Sequence, residues 1–172
     1  MKINKLILGP LETNCYILEK DNKCLIIDPA DEYERIDDVI RNKEVVGVIV
    51  THYHFDHIGA LDNFSKDLVL DKSNLEEKEY NIEGFCFEII YTPGHKEDAI
   101  TIYFKEENIM FTGDFIFKGT IGRTDLPGGN YIDMLKSLDK ISKYDKNIIV
   151  YPGHGDETNL DFIWQNKENI LE

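Results

Sequence analysis

Apolar positions in this chain fall in short runs separated by turn residues. Residues 2–8, 14–20 and 23–27 are rich in Ile, Leu and Tyr and predict three strands, the third ended by Asp28-Pro29. VVGVIV at 45–50 is continuously apolar, as in a strand covered on both faces. Further strands are expected at 68–70, 85–91, 99–105, 108–112 and 147–151. Helical spacing marks 32–42 (DEYERIDDVIR) and 131–143. Helices are also expected from Asp56 towards Lys66, over 72–79 and over 157–168, with a long loop at 114–130. Strands and helices do not alternate regularly enough for a doubly wound sheet, so a layered α+β arrangement of the αββα type is expected. At 172 residues, with no linker, repeat or low-complexity tract, the chain reads as a single domain over 1–172.

One pattern carries chemistry. VVGVIVT runs into His52, CFEIIYTPG into His95, ENIMFTG into Asp114 and NIIVYPG into His154. Each predicted strand ends in a small or turn-forming residue followed by a side chain able to bind a metal. Ligands of open α/β sheets gather at the carboxyl ends of strands. Glycine just before three of the four residues permits a sharp turn and a close backbone approach.

The densest signal is Thr51-His52-Tyr53-His54-Phe55-Asp56-His57. In an extended segment His52 and His54 point the same way, because side chains alternate with period two. Helix entry at Asp56 turns Asp56 and His57 towards a neighbouring position, so two adjacent metals are expected. A single histidine is usually a surface or satisfied core residue. Here that reading must hold five times, since every histidine falls in H-x-H-x-D-H or one of two P-G-H motifs. The donors are imidazole and carboxylate with no thiolate, which suits zinc, iron or manganese. Structural zinc sites favour cysteine and are fully coordinated, so a nitrogen–oxygen set points to catalysis.

Composition narrows the partners. With 42% hydrophobic and 30% charged residues the chain reads as soluble and globular. A net charge of -14 repels nucleic acid and anionic membranes, which leaves a small-molecule substrate. Cys15, Cys24 and Cys86 are scattered in apolar runs and read as buried free thiols. The opening MKINKLILGPLETN has too short an apolar patch for a signal peptide, and no stretch reaches the roughly 20 apolar residues of a membrane span, so a cytoplasmic protein is expected.

These motifs closely resemble the metallo-β-lactamase superfamily, and within it the small bacterial glyoxalase II-like hydrolases. The segments that carry the likeness are T51-H-Y-H-F-D-H-I-G-A60, T92-P-G-H95, F111-T-G-D114, G122-R-T-D-L-P-G-G129 and Pro152-Gly153-His154. The resemblance implies an αββα sandwich and two divalent metal ions, zinc with iron or manganese as alternatives. It places His52, His54 and His95 on the first metal, Asp56, His57 and His154 on the second, and Asp114 between them. It implies hydrolysis of a thioester such as S-lactoylglutathione, with Asp56 orienting the nucleophile. A mononuclear-iron persulfide dioxygenase, using His52, His95 and Asp114, is the alternative, followed by a hydrolase of another ester or lactone. Phe115 and the Lys96-Glu97-Asp98-Ala99 run depart from the family pattern beside the pocket. The chain ends soon after His154, without the helical region that larger members use for glutathione. Arg123 pairs either with a substrate carboxylate or with Asp125, and Lys118 could assist in binding. Asp28 either braces the metal loop or simply ends a strand.

Overall fold

The computed structural model describes residues 1–166. The first sheet holds β1 (Lys2–Leu8), β2 (Thr13–Lys20), β3 (Lys23–Ile27), β4 (Glu44–Ile49) and β5 (Val69–Leu70) in that spatial order. β1, β2 and β3 pair antiparallel, and β4 and β5 join parallel. The crossover from β3 to β4 carries α1 (Tyr33–Ile40). The second sheet contains β6 (Glu79–Ile82), β7 (Phe85–Tyr91), β8 (Ile100–Phe104), β9 (Ile109–Gly113), β12 (Ile149–Pro152) and β13 (Thr158–Asn159), ordered β13-β12-β9-β8-β7-β6. Between β9 and β12 lie a small hairpin, β10 (Ile116–Phe117) with β11 (Thr120–Ile121), and α2 (Tyr131–Ile141); α3 (Leu160–Gln165) follows β13.

Strand alternation explains the layers. On β2 and β3, Tyr16, Leu18, Leu25 and Ile27 face the second sheet, where they meet Phe87, Ile102, Phe104 and Phe111. Their neighbours Cys15, Ile17, Cys24 and Ile26 face outward onto Ile36 and Ile40 of α1. On the far side, Met110 and Val150 pack against Met134, Leu138 and Ile141 of α2 and Leu160 and Ile163 of α3. The result is the four-layer αββα sandwich. Each large apolar side chain buried between layers contributes about 1.5–3 kcal/mol. Asn130 caps α2 by accepting from the Asp133 N–H, and Asn159 caps α3 by accepting from Phe162. No helix among the described residues is long and apolar enough to cross a membrane.

Several expectations are corrected. Residues 56–66 form no α-helix but short 3₁₀ turns at Phe55–His57 and Leu61–Asn63, with a third at Lys66–Leu68. The Ala60 N–H, which an α-helix would give to Asp56, goes instead to the Pro29 carbonyl. Residues 72–79 are a turn leading into β6. There Asp71 accepts from the Ser73 amide and hydroxyl, and Asn74 accepts from the Asp71 amide, so side chains compete with helical bonding. The 114–130 loop contains the β10–β11 hairpin. Cys86 is exposed, because alternation on β7 turns Phe85 and Phe87 inward and Cys86 out. The last helix begins at Leu160, after β13, and positions 167 and 168 lie outside the described residues.

Candidate metal centre

All seven sequence-predicted ligands converge where the ends of β4, β9 and β12 meet, joined by the loop after β7. They form two groups: His52, His54, His95 and Asp114, and Asp56, His57 and His154. Within each group the ligand atoms lie within 4.8 Å of one another. In the first, His54 Nδ1 sits 3.0 Å from His52 Nε2 and 2.9 Å from His95 Nε2. Asp114 Oδ2 lies 3.5 Å from His95 Nε2 and 4.0 Å from His52 Nε2. In the second, Asp56 Oδ2 lies 3.2 Å from His154 Nε2 and 3.5 Å from His57 Nε2. Asp114 reaches this group too, with Oδ1 3.2 Å from His57 Nε2 and Oδ2 3.5 Å from His154 Nε2.

Close approach requires small residues. A Cβ added at Gly153 would lie 2.2 Å from Asp114 Oδ1 and 2.7 Å from His57 Cε1. Gly113, just before Asp114, has φ +50° and passes so near Thr51 that a Cβ would meet its Oγ1 at 2.3 Å. The glycines of the two sequence motifs thus let backbone pack directly against the ligand cluster.

The outward ring nitrogens are anchored. His57 Nδ1 donates to Asp28 Oδ2 at 2.8 Å, His95 Nδ1 to the Arg123 carbonyl at 2.8 Å and His154 Nδ1 to the Leu11 carbonyl at 3.0 Å. Thr51 spends its hydroxyl proton on Asp28 Oδ2 at 2.7 Å, so its oxygen accepts from His52 Nδ1 at 3.0 Å. In all four rings the Nδ1 proton is committed outward and Nε2 turns into the cluster, the arrangement of metal-binding histidines. Asp28 also accepts from the Thr51 amide at 2.7 Å, so the bracing reading of this residue holds. Thr13 Oγ1 donates to Asp56 Oδ2 at 2.8 Å. The roles of Thr13, Thr51 and the Leu11 and Arg123 carbonyls went unread in the sequence. A carbonyl has no residue-type signature, and the only trace of Thr51 was its place before His52.

The site fits divalent cations. His57 Nε2 and Asp114 Oδ1 are buried and lie 3.2 Å apart, yet neither has an aligned hydrogen-bond partner among the described residues. Buried polar atoms are rarely left so. The donors are nitrogen and carboxylate oxygen, as hard or borderline cations require. Burial and the neighbouring His57 push His52 well below the ordinary imidazole range; burial and His95 lower His54. Burial would also lower His57, but Asp28 and Asp114 outweigh it and hold that ring up at about 10. His154 is likewise raised to about 9 by Asp114 and Asp56 against the effect of burial. Burial opposes ionisation of Asp56 and Asp114, yet the facing histidines, with Thr13 for Asp56, keep both carboxyls far below their usual range.

The side chains of the two substrate candidates are both paired with carboxylates. The exposed Arg123 side chain forms a two-pronged pair with Asp125, both contacts 2.7 Å, and only its carbonyl reaches the site. Exposed Lys118 pairs with Asp156 at 3.3 Å and lines an open recess with Phe117 and His154.

The sequence model of the metallo-beta-lactamase superfamily matches residues 8–72 and 65–154. A Bacillus subtilis protein named "Probable metallo-hydrolase YqgX" is 33% identical over 196 residues, covering 93% of each chain. "Hydroxyacylglutathione hydrolase GloC" of Haemophilus influenzae is 30% identical over 200 residues, again covering 93% of each. The crystal structure of TTHA1623 in a di-iron-bound form superposes with a TM-score of 0.85 at 26% identity, covering 95% of this chain and 98% of that one. The chain belongs to the metallo-beta-lactamase superfamily.

Proposed function

We propose that this protein is a binuclear metal-dependent hydrolase of thioesters, of the glyoxalase II kind, with S-lactoylglutathione as the reference substrate. The observation that carries the reading is the pair of ligand groups with Asp114 reaching both. In this reading His52, His54 and His95 would hold one divalent cation and Asp56, His57 and His154 a second, with Asp114, which reaches both groups, serving each. Bound there, such cations would supply Lewis acidity and lower the pKa of a water at the site from 15.7 towards about 7. Asp56, steadied by Thr13, orients the attacking water. The ring anchors Thr51, Asp28, Arg123 and Leu11 keep Nε2 of His52, His57, His95 and His154 turned inward through turnover. Water adds to the carbonyl carbon, the C–S bond breaks, and the products are a carboxylate, a thiol and a proton. A thiolate leaves with little need of a general acid, and the chain has no G-x-S-x-G nucleophile motif. The similarity to the Haemophilus hydroxyacylglutathione hydrolase supports the substrate class. The metal is zinc, with iron or manganese as alternatives.

Elemental analysis of protein purified without added metal, paired with assays on S-D-lactoylglutathione and on glutathione persulfide, tests this. Two metals per chain with thioester cleavage are expected. One iron per chain with oxygen uptake overturns the hydrolase reading in favour of the dioxygenase.

A further inference from the structure

Phe55 stands between the ligands His54 and Asp56 in sequence, yet its side chain is 73% exposed, and Leu11 on the β1–β2 turn is 50% exposed. One exposed apolar side chain is ordinary. These two share a recess of 190 Å³ with Pro10 and Ala30, and its wall includes Thr13 and Asp56, which are already part of the site. Asp31 is the other ionisable group on the wall, and no Lys, Arg or His lines it. A second, open recess, of Phe117, Lys118, His154 and Asp156, meets the cluster at His154 and carries charges of both signs.

We infer that the Leu11–Phe55 recess is an acyl subsite selecting neutral, apolar acyl groups, with the thiol portion of the substrate lying towards Lys118. The inference rests on the thioesterase reading and narrows its substrate class. Two things argue for this occupant. The recess is continuous with Asp56, so a chain lying in it extends from a carbonyl carbon placed at the ligand cluster. Asp31 on its wall, with no cationic side chain there among the described residues, repels an acyl group that ends in a carboxylate. Taking about 30 Å³ per methylene-sized group, as for water, the recess holds roughly six such groups, which suits chains of about four to six carbons. Leu11 serves twice, since its carbonyl anchors His154 while its side chain forms the rim.

The test uses S-acyl N-acetylcysteamine thioesters from acetyl to hexanoyl, with the glutaryl thioester alongside, and enzyme of measured metal content. Burying one methylene is worth a factor of about three to four. kcat/KM is therefore expected to climb about threefold per methylene to pentanoyl, with glutaryl far below pentanoyl. Phe55→Ser and Leu11→Ser, both at exposed positions, should flatten the series at unchanged metal content. Pentanoate, but not acetate, should shift the Phe55 ring signals in aromatic NMR spectra. A flat series in the natural protein, or a slope kept by both variants, overturns the acyl subsite and leaves the thioesterase reading standing. Failure of the fully metal-loaded protein to cleave any thioester overturns both.

Discussion

Asp28→Asn is the sharpest probe of how the second ligand group is built. Asp28 is 2% exposed, and its carboxylate accepts three hydrogen bonds: the Thr51 amide, the Thr51 hydroxyl and His57 Nδ1. Removing the carboxyl group with alanine strands three buried donors at about 1–3 kcal/mol each, so folding itself would be at stake. Asparagine keeps the shape. Its oxygen can still take the Thr51 amide, but its NH₂ then stands where Oδ2 accepted from both Thr51 and His57. That NH₂ donates to His57 Nδ1, so the ring carries its proton on Nε2, aimed at the position of the cation. Loss of such an outer partner typically costs 10- to 100-fold in metal affinity, or about 1.4–2.7 kcal/mol. His52 is coupled to Asp28 only through Thr51, whereas His57 bonds to it directly, so the larger loss should fall on the Asp56–His57–His154 group. Competition with a chromophoric chelator, resolving two binding steps, measures it. Two steps indistinguishable from the natural protein, in a variant that folds normally, would refute the tautomer argument.

Three other outcomes are expected. In metal-stripped protein at pH 7.5, His57 at about 10 and His154 at about 9 both carry a proton beyond the one on Nδ1, because their raised values lie above the solution pH. Metal binding must displace these two protons, and a water acidified towards about 7 would release up to one more, so calorimetry in buffers of different ionisation enthalpy should report release of about two to three, and release near zero would contradict the protonation scheme. Gly153→Ala drives a Cβ to 2.2 Å from Asp114 Oδ1, and should lower stability by about 1–3 kcal/mol and weaken metal binding; an unchanged Tm together with full metal content would count against the close packing. Burial pushes Cys24 up to about 11 and Cys15 higher still, while Cys86 is exposed. A thiol reagent should therefore modify one cysteine in the native protein and all three after unfolding.

The candidate ligand cluster was legible because all five histidines fall in three motifs, and His52, His95, Asp114 and His154 each follow closely on a predicted strand, where sheet geometry gathers side chains. The layers were legible for a similar reason: β2, β3, β8 and β9 are apolar on both faces, which demands a cover on each side. What failed was local. The segment after His57 has apolar residues at helical spacing, but a tertiary bond from Ala60 to Pro29 wins the amide that a helix needs. Residues 72–79 carry charges at helical spacing, but Asp71, Ser73 and Asn74 satisfy one another's backbone first. The β6–β7 turn is Glu83-Gly84, with both residues at positive φ, and lacks the Asn-Gly or Asp-Gly signature that announces such hairpins. Ring anchoring by the Leu11 and Arg123 carbonyls is invisible to any reading of side-chain chemistry.

The seam between the sheets has a consequence for assembly. Asn14 bonds to the Gly153 and Pro152 carbonyls, and the Tyr16 hydroxyl also bonds to Pro152, contacts spanning more than 130 positions of sequence. During synthesis the His52–His54–His95–Asp114 quartet is complete once residue 114 has emerged, whereas the other trio waits for β12 to dock beside the opening hairpin. Contacts of such long range are costly in chain entropy and form late. A cation held by Asp56, His57 and His154, as proposed, would clasp this late-made strand to the early part of the chain, so chelation should loosen the C-terminal third before the rest.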